Sequence, residues 1–192
     1  MNMGVQQSAA GLGLRRRIPT LLDIAAEVLV QDPAASLAEV AKAAGIGRTT
    51  LHRQYATRED LIRAVAHRAV DVWEQAVETV PVSDGDGGLR ALVAAMVPLG
   101  PQLSFLWRTP ALDHDEEIDA RMQRVQDRGL EVLRQARKLG VLGADIPDWW
   151  LLRMLYAVVY SAAESIYYGT LAPLDAPDLA FGTLLRGVGV PR

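Results

Sequence analysis

The apolar residues of this chain recur every three to four positions along most of its length, which is the spacing of one face of an α-helix. No stretch alternates apolar and polar residues for long enough to indicate a β-strand. Proline and glycine interrupt the helical pattern at intervals and divide it into segments. The fold class is therefore predicted to be all-α. About nine helices are expected, near residues 18–30, 37–44, 48–55, 57–80, 89–97, 101–108, 115–139, 148–168 and 176–187.

Residues 36–55 predict two short helices joined by a tight turn. Ser36 and Glu39 have the spacing of a capping box, in which each side chain satisfies a backbone amide at the start of a helix. Gly45 readily adopts the left-handed conformation that ends a helix, and Ile46 is expected to fill the angle between the two helices. This layout is typical of a helix-turn-helix, which places its second helix in the major groove of DNA.

The same region resembles the TetR family of bacterial transcriptional repressors over roughly residues 15–65. Beyond the turn, Thr57 and Asp60 form a second pair with capping spacing. The sequence departs from the usual family pattern at His52, where tyrosine is common, and at Gly47, where serine often caps the helix. The matching residues are Ala44-Gly45-Ile46, Thr50-Leu51 and the run from Tyr55 to Leu61.

Polar side chains cover most of the second helix of this motif, and Leu51 and Tyr55 remain for its inward face. Arginine pairs with the acceptors of guanine, and threonine contacts a thymine methyl group or a base edge. We therefore expect three residues to read bases: Arg48, Thr49 and Arg53. Four more are expected to contact phosphates and set the register on DNA: Thr50, His52, Tyr55 and Arg58.

The net charge of −3 is divided unevenly along the chain. Residues 1–68 hold 9 Lys and Arg against 6 Asp and Glu, whereas residues 69–192 hold 11 against 17. A basic first part with an acidic remainder fits local phosphate binding by the first part. Two such parts presented together would roughly double the phosphate contacts.

Three regions are predicted: a disordered tail at 1–13, a helix-turn-helix DNA-binding domain at 14–60, and a ligand-binding and dimerisation domain at 61–192. The glycine- and aspartate-rich stretch 83–88 is the clearest internal break. It is expected to be an ordinary loop, because it lacks the spacing of a calcium loop. The basic residues Arg15–Arg17 could follow the DNA backbone, enter the minor groove or remain a solvated tail.

The predicted helix at 148–168 is apolar almost all round, so it must be buried on more than one side. A second copy of the chain is the favoured partner, because Ala157, Ser161, Ala162 and Ala163 would allow close helix approach. The alternative is a central core helix in a monomer. The family resemblance implies dimerisation through the last two helices, to which the last would contribute Leu179, Phe181, Leu184, Leu185 and Val188.

Aromatic and thioether residues of the C-terminal half predict a pocket for a small, mostly apolar effector. The helix breaks at Pro98 and Pro101 support a pocket, and Arg153 inside an apolar helix must pair, reach solvent or meet an anionic group. The family resemblance also implies an inducer-binding cavity in this half. For any one residue, core packing is the alternative role. The candidates are Met96, Phe105, Trp107, Met122, Trp150, Arg153, Met154 and Tyr156.

Other chemistries find little support in the sequence. There are no cysteines and only three histidines, so no metal site is predicted, and the acidic run after His114 is expected to be a solvated helix start. No nucleophile elbow and no glycine-rich phosphate loop occur, so neither catalysis nor a cofactor is predicted. The uncharged run 91–107 is short and broken by Pro98, which disfavours a membrane span. A cytoplasmic location is expected.

The sequence therefore predicts a homodimeric, ligand-responsive transcriptional regulator. It is expected to repress, and to release a palindromic operator in double-stranded DNA when a small effector binds the C-terminal pocket. Two alternatives remain open. One is a small-molecule-binding or catalytic helical domain in which the N-terminal motif is incidental. The other is an activator or ligand-independent regulator with the same DNA-binding region.

Overall fold

The computed structural model describes residues 19–82, 85–112 and 115–190. Within these ranges the chain is helical, apart from one isolated β-bridge between Leu142 and Gly189. The all-α prediction is confirmed. The helices are α1 (Leu21–Gln31), α2 (Leu37–Ala43), α3 (Arg48–Gln54), α4 (Arg58–Glu78), α5 (Gly85–Met96), α6 (Gly100–Arg108), α7 (Glu116–Lys138), α8 (Asp148–Tyr167) and α9 (Ala176–Val188). The tail 1–13, Arg15–Arg17 and His114 lie outside the described residues.

Capping boxes define the starts of three helices in the N-terminal part. The predicted pair Ser36 and Glu39 caps α2, with the Ser36 amide donating to Glu39 Oε2 over 2.7 Å. These hydrogen bonds to Ser36 hold the pKa of Glu39 below its ordinary value. A third box, missed in the sequence, lets Thr20 cap α1, so this helix begins at Leu21 rather than at residue 18.

One expectation about the middle of the chain is wrong. Residues 85–88 are not loop but the first turn of α5, where glycine is tolerated and Asp86 lies near the positive helix end. The helix break expected at Pro98 and Pro101 is present, because α5 ends at Met96 and α6 begins at Gly100. Pro98 sits in an ordered 3-10 turn at Val97–Leu99, and Pro101 lies in the first turn of α6, where a missing amide hydrogen costs nothing.

Helix α4 connects the two halves of the described chain. It packs against α1 at its N-terminal side and against α5, α6 and α7 further along. Helices α8 and α9 pack on each other at the opposite side of the body. We call α1–α3 the head and α5–α9 the body. One apolar core runs through both, and its largest fully buried side chain is Trp73 of α4.

Residues Asp86–Arg108 are apolar and long enough, by composition alone, for a membrane-spanning helix. In the structure this stretch is two helices, α5 and α6, separated by the 3-10 turn around Pro98. Of the apolar window within it, 56% is buried inside the protein. Packing in the core of the body therefore accounts for the apolar character of this stretch.

Candidate DNA-binding surface and effector sites

Helix α3 is held by one side and exposed on the others. Leu51 is fully buried, at 0% exposure, and anchors the helix to the head. Gly47 precedes the helix and provides no side-chain cap, so the first amides of α3 stay free for an outside acceptor. The exposed residues include five of the predicted DNA contacts, namely Arg48, Thr49, Thr50, His52 and Arg53.

The turn that sets the angle between α2 and α3 has the predicted geometry. Gly45 has φ of 67°, in the left-handed region where a side chain would be strained. The Ile46 amide then donates to the Ala41 carbonyl over 3.0 Å, which closes the end of α2. Ile46 itself packs half-buried against the core. A rigid turn of this kind presents α3 as a fixed surface.

The other two predicted phosphate contacts, Tyr55 and Arg58, lie in different surroundings. Tyr55 is half-buried against the core of the head. Arg58 Nε donates to the Ala35 carbonyl over 3.2 Å, and its Nη2 donates to the Pro33 carbonyl. The Arg58 guanidinium therefore holds the loop between α1 and α2 against the start of α4. Its phosphate contact is untested, and these hydrogen bonds within the protein favour a role in holding the head together instead.

The outer surface of α8 and α9 carries apolar and small residues. Trp149 is 60% exposed and Leu179 is 52% exposed, and between them Ala157 and Ser161 also face outward. Part of the predicted interface is not available to a partner, however, since Ala162 of α8 is buried in the protomer at 6% exposure. Phe181, Leu184 and Val188 are buried in the protomer itself, and Leu185 is half-buried. These four residues form the inner face of α9. Leu179 is therefore the large apolar side chain that the outer face of α9 offers to a partner.

Three aromatic side chains from three helices meet in the body. Trp107 of α6 lies 4.6 Å from Tyr156 of α8, measured between ring centroids, and Trp73 of α4 packs edge-on at 6.1 and 6.2 Å from the two rings. We call these residues the aromatic cluster. Burial raises the pKa of the Tyr156 hydroxyl well above its ordinary value, so this group stays neutral. Trp73 was not among the predicted residues, although its spacing on α4 marks it as core.

The remaining predicted ligand-binding residues differ widely in how deeply they are buried. Met96 and Phe105 are each 1% exposed and belong to the core, whereas Met122 and Met154 are half-buried. Trp150 is 42% exposed, and Arg153 is also exposed on α8, which meets its need for solvent. The eight candidates therefore do not share one cavity wall, and their contact with a ligand stays a prediction.

A cleft of about 320 Å³ lies between α1, α6 and α8. Its lining includes Glu27 of α1, Ser104 of α6 and Glu164 of α8, none of which was predicted from the sequence. Helices α6 and α8 are in close contact at Gly100, because a Cβ there would lie 2.0 Å from the Cβ of Ala163. We call this region the junction cleft, since α1 belongs to the head and the other two helices to the body.

Polar contacts organise one wall of the junction cleft. Arg108 Nη1 donates to the hydroxyl oxygen of Tyr160 over 3.0 Å, and this hydroxyl donates to Glu164 Oε1 over 3.2 Å. On the α1 side, desolvation and the nearby Asp23 carboxylate raise the pKa of Glu27. Tyr167 and Tyr168 complete the lining at the C-terminal end of α8.

Ionic contacts fix α4 from two sides. Arg68 pairs with Asp23 of α1. On the other side, Arg121 of α7 donates to both Asp71 and Glu74 of α4, each over 2.6 Å. Hydrogen bonding to these carboxylates raises the pKa of Arg121 further above its ordinary value. The orientation of α4 therefore depends on charged groups of both head and body.

In the described ranges, no group of three or more His, Asp or Glu side chains is arranged to hold a metal ion.

Residues 21–65 match the family model described as bacterial regulatory proteins, tetR family. The HTH-type transcriptional repressor LfrR of Mycolicibacterium smegmatis is 33% identical to this chain over 147 residues, which cover 76% of each protein. The HTH-type transcriptional regulator NfxB of Pseudomonas aeruginosa is 24% identical over 176 residues, which cover 89% of this chain and 94% of NfxB.

Solved structures give the same result. The crystal structure of the TetR-like transcriptional regulator LfrR from Mycobacterium smegmatis in complex with proflavine has a TM-score of 0.69 and 30% identity, and the match covers 90% of this chain and 96% of that one. The ketosteroid transcriptional regulator KstR2 of Mycobacterium tuberculosis has a TM-score of 0.67 at 17% identity, covering 96% and 100% of the two chains. That second likeness shows the fold alone.

Proposed function

This chain belongs to the TetR family of bacterial regulatory proteins, and from this we propose that it is a homodimeric repressor that releases a palindromic operator when a small effector binds its body. The DNA-binding domain would comprise residues 14–60, and the ligand-binding and dimerisation domain residues 61–192. A regulator of this kind acts in the cytoplasm, where the DNA is.

The exposed polar surface of α3 is the observation that carries the proposal. Five exposed side chains surround the single buried anchor Leu51. The Gly45 turn fixes this surface on the head. Arg48, Thr49 and Arg53 would contact base edges, while Thr50 and His52 would contact phosphates.

Two copies are needed for sufficient affinity, because one short helix provides few contacts. The outward face of α8, with Ala157 and Ser161, and the exposed Leu179 of α9 would pack against the same face of a partner. This arrangement would hold two α3 helices at a fixed separation. Half-sites about 34–36 Å apart would then be occupied together.

The effector would act by changing that separation. Helix α4 is tied to α1 through Arg68 and to α7 through Arg121. A ligand that moves the body helices would therefore tilt α4 and displace the head. Effector binding and DNA binding would weaken each other by the same factor, since coupling is reciprocal.

Selection of bound DNA from a random pool tests the proposal. A two-fold symmetric consensus, bound by a dimer, is the expected result. Recovery of no consensus at moderate salt would instead support the alternative of a ligand-binding domain with an incidental motif. The relatives LfrR and NfxB are transcriptional regulators, which disfavours that alternative. A reporter gene placed behind the selected site then separates repression from activation.

A further inference from the structure

We propose that the junction cleft binds a planar organic cation, and that this cation is the effector of the repressor; the inference therefore rests on the proposed function. The cleft combines a cavity, aromatic side chains and two carboxylates on opposite walls. The cavity and its aromatic side chains suit the planar ring system of such a ligand, and the carboxylates suit its positive charge.

The size and walls of the cleft suit a planar aromatic molecule. Its volume of about 320 Å³ lies at the lower end of the range for ligand pockets, about 300–1,000 Å³. Tyr160, Tyr167 and Tyr168 contribute aromatic rings, on which a flat ring system can stack. Tyr160 uses its hydroxyl hydrogen within the protein, on Glu164, so its ring is the part left for a ligand.

The charges of the cleft select a cation. Glu27 and Glu164 line it from α1 and α8, respectively. Among the described residues, no basic side chain lies within ion-pair distance of either carboxylate. Arg108 is the one basic side chain in the lining, and its guanidinium is bound to the Tyr160 hydroxyl. A cation over the tyrosine rings would gain cation–π attraction as well.

The surroundings of Glu27 also favour a cationic ligand. Desolvation and the Asp23 carboxylate raise the pKa of Glu27 and so disfavour its charged form. A bound cation would compensate for both effects, because an opposite charge within a few ångströms stabilises a carboxylate. An anionic ligand would instead meet two carboxylates against the single guanidinium of Arg108, which costs binding energy.

The position of the cleft makes its occupant a direct link between head and body. Glu27 lies one helical turn after Asp23 on α1, and Asp23 holds α4 through Arg68. A cation drawn to both Glu27 and Glu164 would therefore pull directly on α1, and on α4 as well through the Asp23–Arg68 pair. The signal would reach the DNA-binding head through the helix that lines the site.

Fluorescence titration of the full chain, without DNA, tests the site. The probes are proflavine, a three-ring cation, and acridine, which has the same ring skeleton but is neutral at slightly alkaline pH. We expect proflavine to bind at least about tenfold more tightly than acridine. We expect Glu27→Gln and Glu164→Gln each to weaken proflavine binding about threefold to fivefold, and the double variant at least about tenfold.

Two control variants locate the binding. Glu78→Gln makes the same charge change in a different groove, between α4 and α7, and should leave proflavine binding unchanged. Trp107→Phe alters the aromatic cluster and should have little effect. Equal binding of proflavine and acridine would overturn the assignment. So would a loss of proflavine binding in Trp107→Phe without any loss in the double glutamine variant.

The effector role is measured separately with the selected DNA fragment. Proflavine should release the fragment from the parent chain but not from the double glutamine variant. If proflavine binds in the cleft and the fragment stays bound, the effector role is wrong although the site is real. If no fragment can be selected at all, the proposed function fails, while the titration still decides whether the cleft binds cations.

Discussion

The Asp23 carboxylate on α1 lies 3.4 Å from the Nε of Arg68 on α4, and these side chains are only 10% and 17% exposed. The same carboxylate accepts hydrogen bonds from the amide and hydroxyl of Thr20. The Asp23 carboxylate therefore takes part in the cap of α1 and also attaches this helix to α4. Because α4 continues into the body, this pair fixes how the head sits on the protein.

Replacing Arg68 with methionine should lower the free energy of unfolding by about 2–3 kcal/mol, since it leaves the Asp23 charge largely buried without its partner. Urea denaturation of the purified protein measures this loss. Arg63→Met on the same helix is the matched control, because Arg63 is 72% exposed and lies 3.8 Å from Asp115. Its effect should stay below about 1 kcal/mol. Equal losses in the two variants would refute the role of the Asp23–Arg68 pair.

The exposed arginines of α3 should determine operator recognition. Arg48→Ala and Arg53→Ala are each expected to weaken binding to the selected operator by about 1–3 kcal/mol and to relax its sequence preference. Gel shift at fixed salt gives both values. Arg124→Ala removes the same charge from an exposed position on α7 and should leave DNA binding unchanged. Undiminished binding by the α3 variants would refute the assignment.

Arg58 should serve mainly to hold the head together. Arg58→Met removes the donors to the Pro33 and Ala35 carbonyls, so we expect a loss of about 1–2 kcal/mol in unfolding free energy. The dependence of DNA affinity on salt should keep its slope, whereas loss of one phosphate contact in each protomer of the dimer would reduce that slope by about 1.8. A reduced slope with unchanged stability would show that Arg58 contacts phosphate instead.

A charge on the outer face of α8 should break the dimer. The parent chain is expected to be a dimer at micromolar concentration in light scattering. Ala157→Glu should be monomeric, because the interface would then have to bury an unpaired carboxylate from each protomer. Ala120→Glu places the same group on an exposed position of α7 and should remain dimeric. A monomeric parent chain would contradict the interface outright.

Stability at low pH should report on Asp148, which pairs with Arg134 and Arg137 at 2.7 Å each. Hydrogen bonding to Arg134, then to Arg137, lowers the pKa of Asp148 in the folded state. Its contribution is therefore complete above the ordinary pKa of about 4 and is lost as pH falls through the lower folded pKa. Asp148→Asn should reduce the melting temperature at neutral pH and much less near pH 3. A reduction that does not change with pH would refute the ionic origin.

The features predicted correctly depend on residues close together in sequence. The Ser36–Glu39 box, the Gly45 turn and the buried Leu51 are all set within one or two helical turns. Local backbone requirements decide such positions, so the residues themselves carry the signal. The helix-turn-helix at residues 36–55 is therefore largely predictable from its sequence.

The features that were missed depend on packing between distant segments. Arg58 bonds carbonyls 23 and 25 residues earlier, and no local pattern marks those partners. The junction cleft likewise joins Glu27, Ser104 and Glu164, which come together only when three helices pack. Aromatic content pointed instead to Trp107 and Tyr156, whose rings pack on Trp73.

The close contact between Gly100 and Ala163 makes the base of the junction cleft less tolerant of substitution than its exposed rim. Any side chain at Gly100 would force α6 away from α8, so drift at this position is blocked by sterics. Glu27, Tyr167 and Tyr168 are exposed, and substitutions there disturb little packing. Descendants of this chain could acquire new chemical preferences by changes at the rim alone, while the geometry beneath stays the same.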